Sequence, residues 1–573
     1  MKPNDIAPNG TPPNEVSPYA FNGTGAEVQA ISFPYVRSPD QDATGPVPHP
    51  IVVVGAGPAG LSLAIDLAQR GQRVLVLDND HRLSIGSRAI CFSKRALEIW
   101  DRLGVGQRMV DKGVSWNLGK VFFHDEQVYQ FDLLPEAGHE RPAFINLQQY
   151  YAEAYLVERA LQLPNIELRW DNNVTKVEPR DDGALLTVGT PEGSYQINAD
   201  WVVACDGARS SMRQMMGLES KGRIFQDRFL IADVKMKADF PAERWFWFDP
   251  PFHPGQSVLL HQQPDNVWRI DFQLGWDADP EEEKKPENIL PRVRALLGHD
   301  ADFELDWASV YTFACLRMDK FAHGRVIFAG DSAHGVSPFG ARGANSGVQD
   351  TENLAWKLDW LLKGYAGAEL LATYGPEREY AADENLLNST RATDFITPKS
   401  EISRLFRDAA LDLAREHPFA RRIVNSGRLS VPATLHHSPL NTPDSDSFAA
   451  DTQVPGAVLL DAPVARAGRA SWLLRELGED FTLLVFGPVP DWAENLPHTQ
   501  ALSIGDDLAD VQGLVAQRLD AQPGTAYLIR PDQHVCARWR APAEKAVRAA
   551  LATATATASA SASASASATA VPA

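Results

Sequence analysis

Cysteine is scarce in this chain. The four present, Cys91, Cys205, Cys315 and Cys536, stand far apart in 573 residues. No CxxC pair and no HExxH occurs, so the pattern suggests neither a zinc site nor a dithiol redox site. A reducing cytoplasm fits that usage. No uninterrupted apolar run approaches the roughly 18 residues that span a bilayer. The start, MKPNDIAPNG, lacks a basic segment followed by an apolar one, so no secretory signal is expected. Basic charge is in deficit: 54 Lys and Arg against 74 Asp and Glu give a net −20. That balance argues against nucleic acid and anionic membranes as partners and favours solubility. No internal repeat of 20–50 residues is apparent.

What the chain does have is concentrated first in Ile51–Asp78. Ile51–Val54 is a β-branched run suited to a parallel strand buried on both faces. Gly55, Gly57 and Gly60 follow as GxGxxG, with Pro58 and Ala59 between them. In such a turn the first glycine bends the chain, the second lets the backbone approach a pyrophosphate, and the third lets helix and strand pack closely. Pro58 suits a first helical turn. Leu61, Leu63, Ala64, Leu67 and Ala68 give a helical apolar face that Gly71 stops. Val74–Leu77 is a second strand ending at Asp78, 23 residues beyond Gly55, where an acid can accept a ribose hydroxyl. A dinucleotide site is expected here.

Residues 1–48, rich in Pro, Asn, Gly and Ser, are expected to be a disordered extension, and 546–573 a low-complexity Ala/Thr/Ser tail. Between them the first region is α/β. Helices are expected at Ser93–Leu103 and Gln149–Leu163, and short strands at Ile166–Trp170, Asn173–Glu178, Ala184–Gly189, Ser194–Asn198 and Trp201–Ala204. From residue 228 to 320 the texture becomes aromatic and alternating, with strands expected at Phe229–Val234, Ser257–Gln262, Val267–Leu274 and Trp307–Phe313. The α/β texture returns at Arg325–Phe328 and the helix Val348–Leu362. The first domain is thus read as discontinuous, 49–227 with 321–429. A linker, 430–454, then leads to a compact C-terminal unit, 455–545.

Two further stretches accompany the fingerprint: Cys205–Arg213, CDGARSSMR, and Gly330–Asp350, GDSAHGVSPFGARGANSGVQD. Asp331 is expected to close a strand and accept a ribityl or sugar hydroxyl. The loop from Pro338 to Gly347 runs into a helix start, whose N–H groups and dipole favour negative charge.

With GxGxxG, DG and GD in that order, the chain resembles the FAD-dependent aromatic hydroxylases. These are single-component flavoprotein monooxygenases that include para-hydroxybenzoate hydroxylase. The resemblance implies an α/β fold: a Rossmann-like FAD-binding domain of the GR2 type, with an inserted β-sheet substrate domain. Gly86–Ala89 resembles the segment whose Arg contacts FAD or the nicotinamide nucleotide, and Gln149 resembles the Gln that opens a helix against the ribityl chain. The implied FAD contacts are Gly55, Gly57, Pro58, Ala59, Gly60, Asp78, Asn79, Arg88, Gln149, Val174, Asp206, Gly207, Arg209, Gly330, Asp331, Pro338, Gly340, Arg342, Gly343, Ala344 and Asn345, with Arg213 a further candidate. His334 belongs to the motif and is expected to be structural. Phe481–Gly487 and Leu528–Val535 resemble the thioredoxin-like C-terminal domain of the phenol and hydroxyphenylpropionate hydroxylase branch. Lacking CxxC, that domain is expected to serve packing or homodimer formation.

The implied activity consumes NAD(P)H and O2, forms a flavin C4a-hydroperoxide and hydroxylates a phenolic aromatic substrate. The backbone carbonyl of Pro338 is expected beside the reacting oxygen. Where some phenol-hydroxylating relatives carry a His or Asp that deprotonates the phenol, this chain has Ile90, so any base must come from elsewhere. Candidates for the pocket are Phe246, Trp247, Phe248, His261, Gln262, Arg269, Asp271, Tyr311 and Phe313, about half of which must face away because strands alternate. His261 and Arg269 are the polar members singled out as catalytic candidates. Two alternatives stay open: an oxygenase or epoxidase for a larger polycyclic substrate, and a redox-silent FAD-binding protein.

Overall fold

The computed structural model describes residues 19–86, 88–237, 240–424, 429–449 and 453–557. The parallel sheet expected around the glycine fingerprint is present. Its strands run in the order Ala322–His323, Val326–Phe328, Gly193–Ala204, Val47–Val54, Val74–Leu77 and Ile166–Arg169. Val52 pairs in parallel with both Val202 and Leu75, so the fingerprint strand is central. An antiparallel pair, Asn173–Pro179 with Ala184–Thr190, hangs from Gly193–Ala204. The helix Pro58–Gln69 packs between Gln149–Leu161 and the long helix Gly343–Leu362.

A second eight-stranded sheet forms a roof: His334–Gly335, Glu304–Met318, Ser220–Lys235, Val267–Leu274, Ser257–Gln262, Arg244–Phe248, Leu118–Phe123 and Glu126–Asp132. It is larger than residues 228–320 suggest. A hairpin from within the first region joins its edge, because Leu118–Phe123 pairs in parallel with Arg244–Phe248. One face, with Leu230, Leu260, Trp268, Ile270 and Phe272, packs on Ile289 and Val293 of the helix Pro286–Leu297. The other, with Phe229, Phe246, Phe248 and Leu259, faces Phe339 and the helices Tyr374–Ile396 and Glu401–Glu416.

The third sheet is mixed, seven-stranded and C-terminal, with Phe481–Phe486 between Thr499–Ile504 and Ala526–Ile529. The same unit carries the short helix Leu514–Arg518, and Leu508–Ala509 is a strand between Pro463–Arg466 and Thr499–Ile504.

Two terminal expectations are corrected. Residues 19–48 are ordered: Phe21, Val28, Ile31 and Phe33 are buried in the main core, and Phe33 stacks on Trp170 with ring centres 4.4 Å apart. At the other end the helix Glu544–Ala554 buries Val547, Ala550, Leu551 and Ala554 against the core shared with Trp356 and Trp360, so the expected tail does not begin at 546. The remaining parts of those two calls, residues 1–18 and 558–573, lie outside the described residues.

Candidate functional site

The three glycines of the fingerprint are glycines for different reasons. A Cβ on Gly55, which has φ +108°, would stand 2.4 Å from the Cys205 carbonyl oxygen, and one on Gly60 would stand 2.0 Å from the Gly55 carbonyl oxygen. Both close contacts are internal to the fold. A Cβ on Gly57 meets nothing within 4 Å. Gly57 caps Pro58–Gln69 with no side-chain cap bond, so the first N–H groups of that helix have no capping side chain. Asp78 accepts from the Ala56 N–H at 2.6 Å and the Asp80 N–H at 2.8 Å, which fixes the turn from the far strand.

The DG and GD stretches are tied together across the sheet end. Asp206 accepts from the Met212 N–H at 3.0 Å, while its Oδ1 is buried with no hydrogen bond among the described residues. Arg213 donates to the carbonyls of Ser332 and Ala208 at 2.6 and 2.7 Å. Its guanidinium is therefore a brace between motifs. Asp350 receives Gly330 N–H at 3.0 Å, His334 Nε2 at 2.7 Å and Arg378 Nε at 2.6 Å. Burial alone would raise the Asp350 carboxyl; His334 and Arg378 outweigh it and hold it below the ordinary carboxylate range. His334 is thus structural. The helix Gly343–Leu362 starts without a side-chain cap. Asn345 spends its side chain on Ser93 N–H, the Cys91 carbonyl and the Ala341 carbonyl, at 2.8, 2.9 and 2.6 Å.

The roof face that meets this loop is polar at one end and aromatic at the other. Register puts Asp233, Arg269 and His261 in one cross-strand row and Ile231, Asp271, Leu259 and Phe246 in the next. Phe246, Phe248, His261, Arg269, Asp271, Tyr311 and Phe313 of the expected pocket residues share this face; Trp247 and Gln262 alternate to the other. Arg269 donates to Asp233 at 3.1 Å and to the Arg88 carbonyl at 3.3 Å. His261 is 3% exposed, its ring edge-on to Trp116, and its Nδ1 has no hydrogen bond. Burial, then Arg244 and Arg269, push its pKa well below the ordinary histidine value, so it is a neutral, weak base. Phe339 of the GD loop packs edge-on against Phe229 at 4.7 Å, docking loop to roof. Between them lies a cavity lined by Arg244, Phe246, Phe248, Phe339, Ala392 and Ile396.

The comparisons with known proteins decide what this cleft belongs to. A family model described as FAD binding domain matches residues 49–389. The chain belongs to that family. It is 29% identical over 527 residues to a probable NADH-specific resorcinol 4-hydroxylase of Rhodococcus jostii (strain RHA1), covering 87% of this chain and 93% of the relative. It is 30% identical over 540 residues to 6-methylpretetramide 4-monooxygenase of Streptomyces rimosus, covering 89% and 94%. The crystal structure of the flavin-dependent monooxygenase PieE, in complex with FAD and substrate, shares the fold with a TM-score of 0.77 at 21% identity, over 89% of this chain and 100% of that one.

The residues present fit FAD. The opening at Gly57, the uncapped helix starts at Pro58 and Gly343, and the unbonded Asp206 Oδ1 are all features a bound dinucleotide would satisfy. Asn79, Arg88, Arg209, Asp331 and Pro338 are exposed, which leaves them free to meet a ligand. Gln149 opens its helix as expected, but its amide is engaged with Ala89 N–H and Glu153. The Val174 side chain is 3% exposed inside the main core, and the Asn345 side chain clamps Cys91–Ser93 to the long helix. The Pro338 carbonyl already accepts from Ala341 N–H at 3.0 Å. Sequence reasoning missed Arg244. It is 7% exposed, lines the cavity, and forms no hydrogen bond or ion pair through its guanidinium among the described residues. Its one visible signal is a lone cation in the strand Arg244–Phe248, RWFWF.

Proposed function

We propose that this chain is an FAD-dependent, NAD(P)H- and O2-consuming monooxygenase that hydroxylates a phenolic aromatic compound. The observation that carries the reading is an aromatic cavity with a buried guanidinium, unpaired among the described residues, set against the GD loop of an FAD binding domain. A flat ring suits the phenylalanine walls, and a phenolic oxygen suits Arg244. When bound, FAD supplies hydride acceptance from the nicotinamide and activation of oxygen.

The chain's own part is to hold, orient and exclude water. Gly57 and the start of Pro58–Gln69 hold the pyrophosphate, and Asp78 the adenosine ribose. Asp206, Arg209, Gly330 and Asp331 hold the ribityl side. The helix start at Gly343, with Arg342 as its N-terminal neighbour, favours negative charge on the redox ring. Phe246, Phe248 and Phe339 keep the reacting edge dry. In this reading 49–227 and 321–429 form the GR2-type FAD-binding part. The roof is the substrate domain, and the C-terminal sheet is a thioredoxin-like unit without redox chemistry, used for packing or for a homodimer, in a cytoplasmic enzyme.

The names of the relatives favour two substrate sizes, a single phenolic ring and a polycyclic phenol. The purified protein should be yellow or reconstitute with FAD. A panel of both substrate sizes should stimulate NADH or NADPH oxidation and yield a hydroxylated product by mass spectrometry. A protein that stays colourless with added FAD overturns the reading. Flavin present with no product from either set would leave the redox-silent alternative.

A further inference from the structure

The roof face that meets the GD loop carries a buried carboxylate with one oxygen unbonded among the described residues. Asp271, on Val267–Leu274, is 8% exposed, and its Oδ1 has no hydrogen bond among the described residues. An ionised carboxylate buried without donors is costly, and chains retain one where something outside the fold engages it. The adjacent cation on its own strand, Arg269, spends Nε on Asp233.

Asp271 stands in the same cross-strand row as Leu259 and the cavity-lining Phe246, on the roof face that meets the GD loop. The charged groups acting on the Cys91 thiol, which burial pushes up to about 11, are Arg244, Arg269 and Asp271. Cys91 directly follows Ile90, the position at which the base of some phenol-hydroxylating relatives is replaced here by a hydrocarbon. Asp271 and Arg244 therefore lie near the segment that carries Ile90.

We propose that Asp271 is the base that removes the phenolic proton of the substrate, with the Arg244 guanidinium receiving the phenolate. The proposal rests on the reading of the cleft as a phenol-hydroxylating site. In the step, the substrate O–H bond breaks and its proton bonds to Asp271 Oδ1. The electron pair stays on the phenolate oxygen and is delocalised into the ring, which makes the ortho and para carbons nucleophilic. One negative charge moves from carboxylate to phenolate, so the net charge of the cleft is unchanged and no further reactant is needed.

The other groups around Asp271 leave it this role. Asp233 is bound to Arg269. His261 is held neutral and weakly basic by burial, Arg244 and Arg269. Burial first, and then Asp271, keeps the Tyr311 hydroxyl protonated. Burial raises Asp271 itself to about 6 against the pull of Arg269 and Arg244, so it is ionised at neutral pH and still basic enough to take a proton.

The test uses the FAD-loaded protein without nicotinamide and 4-nitrophenol as the probe, whose phenolate absorbs in the visible. Binding is followed above pH 6 and below the probe's free pKa, with calorimetry in buffers of different ionisation enthalpy to count protons released. The wild type should show the phenolate band with no net proton released. Asp271→Asn should either lose the band or show it with one proton released per ligand, while Asp271→Glu should keep the wild-type signature. In turnover, Asp271→Asn should lose ~10²–10⁴-fold in kcat/KM at neutral pH and recover as the pH approaches that of the free phenol. Flavin content and melting temperature establish that each variant is folded. A wild type that binds the probe as neutral phenol, or that releases a full proton as the phenolate forms, overturns the proposal while leaving the phenol reading standing. Failure of the wild type to bind the probe overturns both.

Discussion

Two clusters of buried charge in this chain are built on opposite rules. At the junction with the C-terminal sheet, Glu377 receives Arg530 Nη1 at 2.6 Å and Nη2 at 3.0 Å, Lys357 at 2.6 Å and Asn353 at 2.7 Å. Arg530 turns its Nε to Asp532 at 2.9 Å. Burial alone would raise Glu377; Arg530 and Lys357 outweigh it and hold the carboxyl far below the ordinary range. In the cleft, among the described residues, the Arg244 guanidinium forms no hydrogen bond or ion pair, and Asp271 Oδ1 and His261 Nδ1 have no hydrogen bond. Buried charge that is fully paired holds one part of a fold to another. Buried charge that is left open marks the place where a ligand completes the set.

Removing one member of the closed cluster should have the largest effect. Arg530→Met leaves Glu377 and Asp532 buried without their main cation and should cost about 3–5 kcal/mol, read from denaturant melts of the FAD-loaded protein. A loss below about 1 kcal/mol would mean that the junction is not held by this pairing.

Asp271→Asn should act in the opposite direction. The Asp271 carboxyl is raised from 3.8 to about 6 in the folded chain, so folding disfavours its ionised form. Between pH 4 and 6 the folded state holds more protons than the unfolded one, and wild-type stability falls as pH rises through that window. The variant does not titrate there. It should match the wild type near pH 4 and exceed it by roughly 2–3 kcal/mol at pH 7–8. Equal stability at both pH values would remove Asp271 from the set of strained cleft groups. A gain in stability joined to a loss of activity is what a functional rather than architectural charge predicts.

The sequence made some of this contrast legible and hid the rest for physical reasons. The glycine fingerprint was readable because backbone geometry at Gly55 and Gly60 admits no other residue. Ser257–Gln262 and Val267–Leu274 were readable because both ends of each strand show in the local pattern. The order of residues 19–48 was not. Four apolar anchors are spread through a Pro- and Asn-rich stretch, and the partner of Phe33 is Trp170, far along the chain. The roof hairpin was missed because its parallel pairing with Arg244–Phe248 joins segments more than a hundred residues apart. Arg213 and Asn345 carry the right chemistry for ligand contacts and also brace the fold; only geometry shows that second use. The openness of Arg244 is an absence of partners, and residue order does not encode an absence.

A third class of surface sharpens the comparison: backbone left open instead of charge. Gly57→Ala adds a methyl where nothing stands within 4 Å, so the apoprotein should melt as the wild type does. FAD affinity should fall about tenfold or more, near 1.4 kcal/mol, because the methyl occupies the approach of the pyrophosphate. Equilibrium dialysis of flavin against both proteins measures it. Unchanged affinity would separate Gly57 from the cofactor.

The smallest change in stability is expected at Arg244, and its smallness is the point. Arg530 and Arg244 are both buried guanidiniums, and Arg244→Met makes the same chemical change as Arg530→Met. Burial lowers the Arg244 pKa, with Cys91, Asp271 and Tyr311 opposing, so the site as folded does not favour its charge. Replacing an unpaired buried cation by a hydrocarbon of similar length removes a desolvation cost and breaks no hydrogen bond. The melt should therefore shift by no more than about 1 kcal/mol, in either direction. Affinity for a phenolate ligand should weaken by roughly tenfold or more, as expected on losing a charge-assisted contact. If Arg244→Met destabilised the protein as strongly as Arg530→Met, Arg244 would be architectural and the division between the two clusters would fail. If it left both stability and phenolate affinity untouched, the guanidinium would not be what receives the substrate.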